Sequence, residues 1–86
     1  MLDTAIGPVT RVVDVHSIQV HVTHIGRHNQ FRYNTYETVY VASNNTGRTL
    51  AGLVGLRVRC NVKYRDVYNR LVADVELETV SRSLFK

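Results

Sequence analysis

Two short segments of the chain combine arginines with aromatic side chains, and these residues are the best suited to chemistry. The first segment holds Arg27, Phe31, Arg32, Tyr33 and Tyr36. The second holds Arg65, Tyr68 and Arg70. Arginine grips phosphate through a planar fork, and aromatic rings offer flat surfaces on which bases stack. These residue types predict an interface for single-stranded nucleic acid, with bases on the rings and phosphates on the arginines.

Side chains that serve catalysis or metal binding occur without the spacing that such sites need. On one extended strand His16 and His24 share a face and His21 points the other way, so they do not converge as zinc ligands. Asp14 and Ser17 lie too close to His16 along a strand to form a Ser–His–Asp relay. We therefore expect a binding protein and not an enzyme, with no metal and no cofactor.

The stretch from Leu56 to Val80 predicts a β-hairpin around which the rest of the chain is organised. Apolar and polar residues alternate from Leu56 to Tyr64, and they alternate in the opposite phase from Leu71 to Leu77. A loop over residues 66–69 has a normal hairpin length. On one face the predicted pairs are Arg57 with Glu78, Arg59 with Glu76, Asn61 with Asp74, Lys63 with Val72 and Arg65 with Arg70. On the other face they are Val58 with Leu77, Cys60 with Val75, Val62 with Ala73 and Tyr64 with Leu71.

This register has consequences for the surface charge and for the single cysteine. Glu76 and Glu78 are expected to neutralise the basic residues opposite them. Arg65 and Arg70 have no acidic residue opposite them, so positive charge should remain at the loop end of the hairpin. Cys60 faces the core, which predicts a buried and unreactive thiol.

The part of the chain before residue 26 predicts one long strand. Residues 1–8 are expected to form a loose arm, with Gly7-Pro8 as a turn or the entry to a strand. The strand runs from Val9 to Ile25, and its apolar positions change phase at His16-Ser17. Two residues without Gly or Asn make a poor hairpin turn, so a bulge in one bent strand is favoured over a tight turn between two strands.

Two more strands and a connection precede the hairpin. Phe31–Ala42 is predicted to be a strand with apolar or aromatic residues on both faces. A turn at Asn44–Gly47 leads to a short returning strand at Arg48–Leu50. Ala51–Gly55 is too short and too rich in glycine for a stable helix and fits a crossing connection. Residues 81–86 are expected to be a tail.

Composition indicates a single small domain over residues 1–86. The chain is 44% hydrophobic and 21% charged, which is ordinary for a globular protein. The net charge is +4, and the basic residues are nine arginines and two lysines, a bias that slightly favours a nucleic-acid partner. One cysteine permits no internal disulfide, and neither a membrane span nor a signal peptide is apparent, so a cytoplasmic location is expected.

The predicted strands make an all-β fold, a small five-stranded barrel that resembles the OB-fold. The segment Gly55-Leu56-Arg57-Val58-Arg59, together with Val72-Ala73-Asp74-Val75-Glu76-Leu77, resembles the last two strands of single-stranded-DNA-binding proteins of that class. The helix often found between the third and fourth strands has no room here. An SH3-like barrel would accept nearly the same strand pattern. The resemblance implies a binding face flanked by the loops after strand one and between strands four and five.

Two functions of different classes follow as expectations. The first is binding of single-stranded DNA or RNA with low sequence specificity, through the arginines and rings of the two segments. The second is a protein-interaction or assembly module, in which a strand with two apolar faces is buried in a homo-oligomer or against another protein. Neither expectation involves a membrane.

Overall fold

The computed structural model describes residues 2–78. The chain order is β1 (Asp3–Asp14), β2 (Ser17–His21), β3 (His24–Ile25), β4 (Tyr36–Asn44), a single 3-10 turn (Ala51–Leu53), β5 (Arg57–Arg65) and β6 (Leu71–Leu77). Five of the strands close into a barrel in the order β1-β2-β4-β6-β5-β1, and the two-residue β3 adds to the side of β1. The predicted all-β, five-stranded barrel is therefore confirmed.

The pairing of β4 with β6 decides between the two barrel types. These two strands run parallel, whereas every other pair in the described barrel is antiparallel. A barrel that meanders through consecutive antiparallel strands, as an SH3-like barrel does, needs no such pair. The Greek-key order with one parallel pair is OB-fold-like.

The strand predicted from Val9 to Ile25 is divided among the end of β1, β2 and the short β3. A tight turn joins β1 to β2, so the bulge favoured from the sequence at His16-Ser17 is wrong. Asp14 pairs with Ser17, and the backbone N–H of His16 donates to Asp14 Oδ1 at 2.9 Å. Bulges do occur in β1, but between Val9 and Arg11 and between Val12 and Asp14. The second of these bulges adds twist beside the turn, and the Asp14 carboxylate accepts the backbone N–H of His16 within it. The hairpin therefore forms without Gly or Asn.

The predicted loose arm belongs to the barrel. Asp3 to Pro8 pair residue by residue with β5, from Val62 to Arg57. Position 7 of this strand requires glycine, because an added Cβ would lie 1.7 Å from the His21 carbonyl oxygen. The inward positions of this segment are an aspartate, an alanine and a glycine, and such residues hide the apolar alternation by which a strand is recognised.

Two segments predicted as strand are loop. Phe31–Thr35 precede β4, and Arg48–Leu50 precede the 3-10 turn. In both places backbone N–H groups donate to side chains and not to a neighbouring strand. Phe31 N–H donates to Asp3 Oδ2 at 2.9 Å, and Arg48 N–H donates to Thr46 Oγ1 at 3.1 Å. The predicted turn at Asn44–Gly47 is present, with Gly47 at φ 73°, and the connection over Ala51–Gly55 is confirmed.

The closing hairpin has the predicted register over the half that is remote from its loop. Pairs from Val58–Leu77 to Val62–Ala73 are as expected, and Glu78 N–H donates to the Arg57 carbonyl at 3.1 Å. A bulge at Lys63 then shifts the partners. The remaining predicted pairs are wrong, since Tyr64 opposes Val72 and Arg65 opposes Leu71.

The barrel interior is filled by small and branched apolar side chains. Its buried members are Ala5, Val9, Ile18, Val20, Val39, Leu53, Val58, Cys60, Val62, Leu71, Ala73 and Val75. Cys60 is buried as predicted, and its burial raises the pKa of the thiol to about 12. The tail predicted at residues 81–86 lies outside the described residues.

Candidate nucleic-acid interface

Four strands place one row of side chains in register on the outer side of the barrel, where Ser17 and Val72 are covered by their neighbours (0% and 7% exposed). Ser17 pairs with Tyr40, Tyr40 with Val72, and Val72 with Tyr64. Residues directly opposite each other point to the same side of a sheet. We call this set, Ser17, Tyr40, Val72 and Tyr64, the tyrosine row. Its course runs across β2, β4, β6 and β5.

Tyr64 reaches the tyrosine row only because of the bulge at Lys63. Without the bulge, strict alternation would place Tyr64 on the same side as the buried Val62. The bulge leaves Lys63 and Tyr64 both on the outside, and Tyr64 is 53% exposed. The sequence-based prediction that Tyr64 faces the core is wrong for this reason.

Arg70 lies against the tyrosine row between two rings. Its guanidinium carbon is 5.0 Å from the ring centroid of Tyr40 and 5.3 Å from that of Tyr68. Its Nε donates to Asp66 Oδ2 at 2.8 Å, so the expectation that Arg70 carries unpaired charge is wrong: its acidic partner lies in the loop and not on the opposite strand. Two cation–π contacts and one ion pair therefore fix the position of this cation before any ligand arrives.

The loop that carries Arg70 is held by the Asp66 side chain. Asp66 Oδ1 accepts the backbone N–H groups of Tyr68 at 2.9 Å and Arg70 at 2.8 Å. Burial acts to raise the pKa of Asp66. The hydrogen bonds from the backbone and guanidinium N–H groups of Arg70 and from the N–H of Tyr68 together have the larger effect, so the pKa lies below its ordinary value. Asn69 completes the loop at φ 65°, a conformation that asparagine tolerates better than most residues.

Two aromatic pairs lie on the same outer face, and in the first of them the rings of His16 and Tyr40 are tilted by 47° with centroids 5.8 Å apart. His21 and Tyr36 are opposite each other on β2 and β4, and their rings stack with centroids 4.8 Å apart and planes at 22°. Tyr36 is 54% exposed. Between this pair and Tyr40 lies Thr38, opposite Gln19. The outer face of β4 thus presents one ring, one polar residue and a second ring.

The first predicted segment divides into exposed and structural residues. Arg27, Phe31 and Arg32 are exposed on the loop before β4. Tyr33 is different, because its hydroxyl donates to Asp3 Oδ2 at 2.9 Å and burial and the Asp3 carboxylate raise the pKa of its phenol. Tyr33 therefore holds the loop on the barrel and offers less of its ring to a ligand.

Arg65 also has a structural role, which contradicts the expectation that it carries free charge. Its Nη1 and Nη2 donate to the two carboxylate oxygens of Glu37 at 3.0 and 3.1 Å, and Glu37 is only 3% exposed. The same guanidinium donates to the carbonyl oxygens of Arg32 and Asn69. The two predicted segments are therefore neighbours, joined by Arg65. The acidic partner lies on β4 and could not be found from the hairpin register.

Paired charges leave this face only mildly basic. Beside the tyrosine row, Asp66 and Asp74 form ion pairs with Arg70 and Lys63. Asp14, which lies opposite Ser17, adds a third carboxylate close to Arg70. Arg11, opposite Gln19 in β1, and Arg32 are exposed and have no carboxylate within 4.0 Å among residues 2–78. Stacking surfaces are therefore more abundant here than unpaired cations.

The basic row of the hairpin is neutralised less evenly than predicted. Arg57 pairs with Glu78 at 2.6 Å, as expected. Glu76 instead accepts a hydrogen bond from Asn61 Nδ2 at 3.0 Å, and Arg59 forms no ion pair within the described residues. Arg59 lies on β5, away from the tyrosine row, and serves as a reference cation.

A cavity of about 310 Å³ opens between the two tyrosines of the row. Its lining consists of Tyr40, Tyr64, Asp66, Arg70 and Val72. Residues 2–78 contain no group of three or more potential metal ligands, and the histidines do not converge. Sequence reasoning missed Tyr40 and Tyr64 as site residues. The spacing of Tyr36 and Tyr40 along one strand could have indicated the first, whereas nothing in the sequence marks the bulge that exposes the second.

Comparison of the chain with family models, with curated proteins and with solved structures finds no match. Within residues 2–78 no helix has the length and apolar character needed to cross a membrane.

Proposed function

We propose that this protein binds single-stranded nucleic acid with low sequence specificity and is not an enzyme. The observation that supports this best is Arg70, fixed between Tyr40 and Tyr68 on an exposed aromatic face. OB-folds bind oligonucleotides on the face of their second and third strands, between the loop after strand one and the loop between strands four and five. The corresponding parts here are β2, β4, the turn at residues 15–16 and the loop at residues 66–70.

The topology changes which loops frame the proposed site. The sequence had suggested that the loop at residues 26–35 follows the first strand, but it follows β3. It still borders the site because Arg65 ties it to the loop at residues 66–70. Arg27, Phe31 and Arg32 extend the proposed surface in this direction.

Single strands fit this face better than duplexes do. Rings such as those of Tyr36 and Tyr68 can stack on the bases of a single strand, whose faces are exposed, but not on the bases inside a duplex. Each stacked base contributes roughly 1–3 kcal/mol of binding free energy. Stacking tolerates any base, which accounts for low specificity. Two or three phosphate contacts, from Arg70, Arg32 and Arg11, predict a log-affinity against log-salt slope of about −1.4 to −2.1.

The test is fluorescence anisotropy with labelled oligo-dT, oligo-U and duplex DNA at two salt concentrations. Arg70→Ala should weaken binding of the single strands and flatten the salt slope by about one unit or less. Arg59→Ala is the matched control, since it removes an exposed arginine away from the tyrosine row, and should change little. Binding weaker than about 100 μM for every oligonucleotide at low salt would reject the proposal.

A second candidate, an assembly module, is favoured by exposed valines around the β1–β2 hairpin. Val12, Val13 and Val15 are 36%, 37% and 83% exposed, and Val54, bridged to Val9, is 47% exposed. Exposed apolar side chains of this kind suit a protein partner or a second copy of the chain. Sedimentation equilibrium should then show association that Val15→Ser weakens. A monomer at all concentrations would exclude the homo-oligomer.

A further inference from the structure

We infer that the cavity between Tyr40 and Tyr64 is a slot for a single pyrimidine base, held between the two tyrosine rings with Arg70 on the adjoining phosphate. This inference rests on the proposed function and specifies the ligand unit that the site takes. It concerns one position of a bound strand, and leaves the rest of the face tolerant of sequence.

The width of the slot follows from the strand order. Tyr40 and Tyr64 flank Val72 on the two strands next to β6. Neighbouring strands lie about 4.8 Å apart, so the two tyrosine backbones are separated by roughly 10 Å. Carbon atoms in contact are about 3.5–4.0 Å apart, so a flat base between two rings needs roughly 7–8 Å. The backbone spacing therefore matches one base and is too small for a stack of two, and the Arg70 guanidinium, 5.0 Å from the Tyr40 ring, takes part in the same wall of the slot.

The floor of the slot selects which edge of the base enters. Val72 is apolar and 7% exposed, so it offers no hydrogen bond to a buried polar edge. A polar group buried there without a partner would cost free energy. The C5–C6 edge of a pyrimidine carries no hydrogen-bonding group, and in thymine it carries a methyl group. A pyrimidine can therefore face Val72 with this edge and keep its Watson–Crick edge toward the solvent.

Arg70 is positioned to hold the phosphate beside this base. Its Nε is committed to Asp66 at 2.8 Å, whereas its Nη1 is 3.5 Å from Ser17 Oγ, at the limit of a hydrogen bond. The outer edge of the guanidinium therefore retains donors for a phosphate oxygen. Because Arg70 lines the cavity and contacts the Tyr40 ring, that phosphate would lie directly at the mouth of the slot.

The experiment combines two probes with matched variants of one ring. In methyl NMR spectra, thymidine 5′-monophosphate and an octamer of thymidine should both shift the Val72 resonances, because a base in the slot places its ring current over that side chain. Tyr64→Ala should weaken octamer binding by between about fivefold and 150-fold. Tyr64→Phe, which keeps the ring, should bind within about twofold of the parent protein. An octamer of deoxyadenosine should shift Val72 less.

Each outcome separates the slot from the wider function. If the octamers bind but Tyr64→Ala and Tyr40→Ala are both silent and Val72 does not shift, the slot is wrong and the proposed function stands. If Tyr64→Phe is as weak as Tyr64→Ala, the hydroxyl and not the ring is used, and the sandwich is overturned. If neither the monophosphate nor any octamer binds, the slot and the proposed function both fail. Tyr64 is half exposed, so its replacement should leave the barrel folded. The methyl spectra of the variants check this, because a folded barrel keeps its dispersed methyl resonances.

Discussion

At the scale of single residues, two arginines that lie five positions apart have different roles. Arg70 lies on the candidate face, in contact with the rings of Tyr40 and Tyr68. Arg65 is committed to the buried carboxylate of Glu37. The difference lies in contacts between residues 28 positions apart, which depend on how strands are ordered in the barrel.

Asp3 illustrates a residue whose role appears only in the fold. It is 4% exposed, and its carboxylate accepts hydrogen bonds from the backbone N–H groups of Gln30 and Phe31 and from the Tyr33 hydroxyl. Burial acts to raise the pKa of Asp3, but these hydrogen bonds lower it below the ordinary value. The ionised carboxylate therefore fastens the loop at residues 26–35 to the barrel.

Asp3→Asn should lower the free energy of unfolding by roughly 1.5–3 kcal/mol at pH 7, because it weakens hydrogen bonds to a charged group. A depressed folded-state pKa adds stability above the ordinary pKa of about 4, and this stability is lost as the pH falls through the folded-state pKa. The difference between the parent protein and Asp3→Asn should therefore shrink in urea titrations below pH 4. A difference that stays constant from pH 7 to pH 3 would show that the carboxylate charge is not what stabilises the loop.

At the scale of secondary structure, strict alternation predicted well and irregularities in strands did not. The hairpin register from Val58 to Val62 followed from two matching faces. The bulge at Lys63 leaves no sequence signal, because Lys63 and Tyr64 continue the polar–apolar pattern while the backbone departs from it. The β1–β2 turn was missed for a related reason, since the Asp14 side chain and a bulge replace the turn residues usually required.

The loop between β5 and β6 offers a test of how its backbone positions the site. Asn69 has φ 65°, where glycine is unstrained and most other residues cost roughly 1–2 kcal/mol. Asn69→Gly should leave the free energy of unfolding nearly unchanged, whereas Asn69→Val should lower it by about that amount. Chemical denaturation measures both variants. If the valine variant is as stable as the glycine variant, the loop has an alternative conformation available, and the positions of Tyr68 and Arg70 are less fixed than the structure indicates.

At the scale of the whole molecule, the barrel was predictable as a class because five strands with short connections have few ways to bury one apolar face each. The order of the strands could not be read from the pattern. The parallel pairing of β4 with β6 joins segments about 30 residues apart, and it is this pairing that sets Tyr40 beside Tyr64 across Val72. The candidate site is therefore a product of topology.

The ion pair between Arg65 and Glu37 links the barrel to both loops that frame the candidate site. Their side chains are 18% and 3% exposed, and the pair is supported by carbonyl oxygens of both loops. Glu37→Gln removes one charge and leaves the guanidinium partly buried, so it should lower the free energy of unfolding by about 3–5 kcal/mol. Arg65→Met together with Glu37→Leu should recover part of that loss, because two apolar side chains leave no unpaired charge, although the Asn34 N–H loses its acceptor on Glu37. Urea unfolding of the single and double variants measures this, with Arg59→Met as the exposed control.

The double variant should still bind oligonucleotides more weakly than the parent protein, since no side chain then joins the loop of Arg32 to the loop of Asn69. Full binding in the double variant would show that Arg65 stabilises the barrel without positioning the loops.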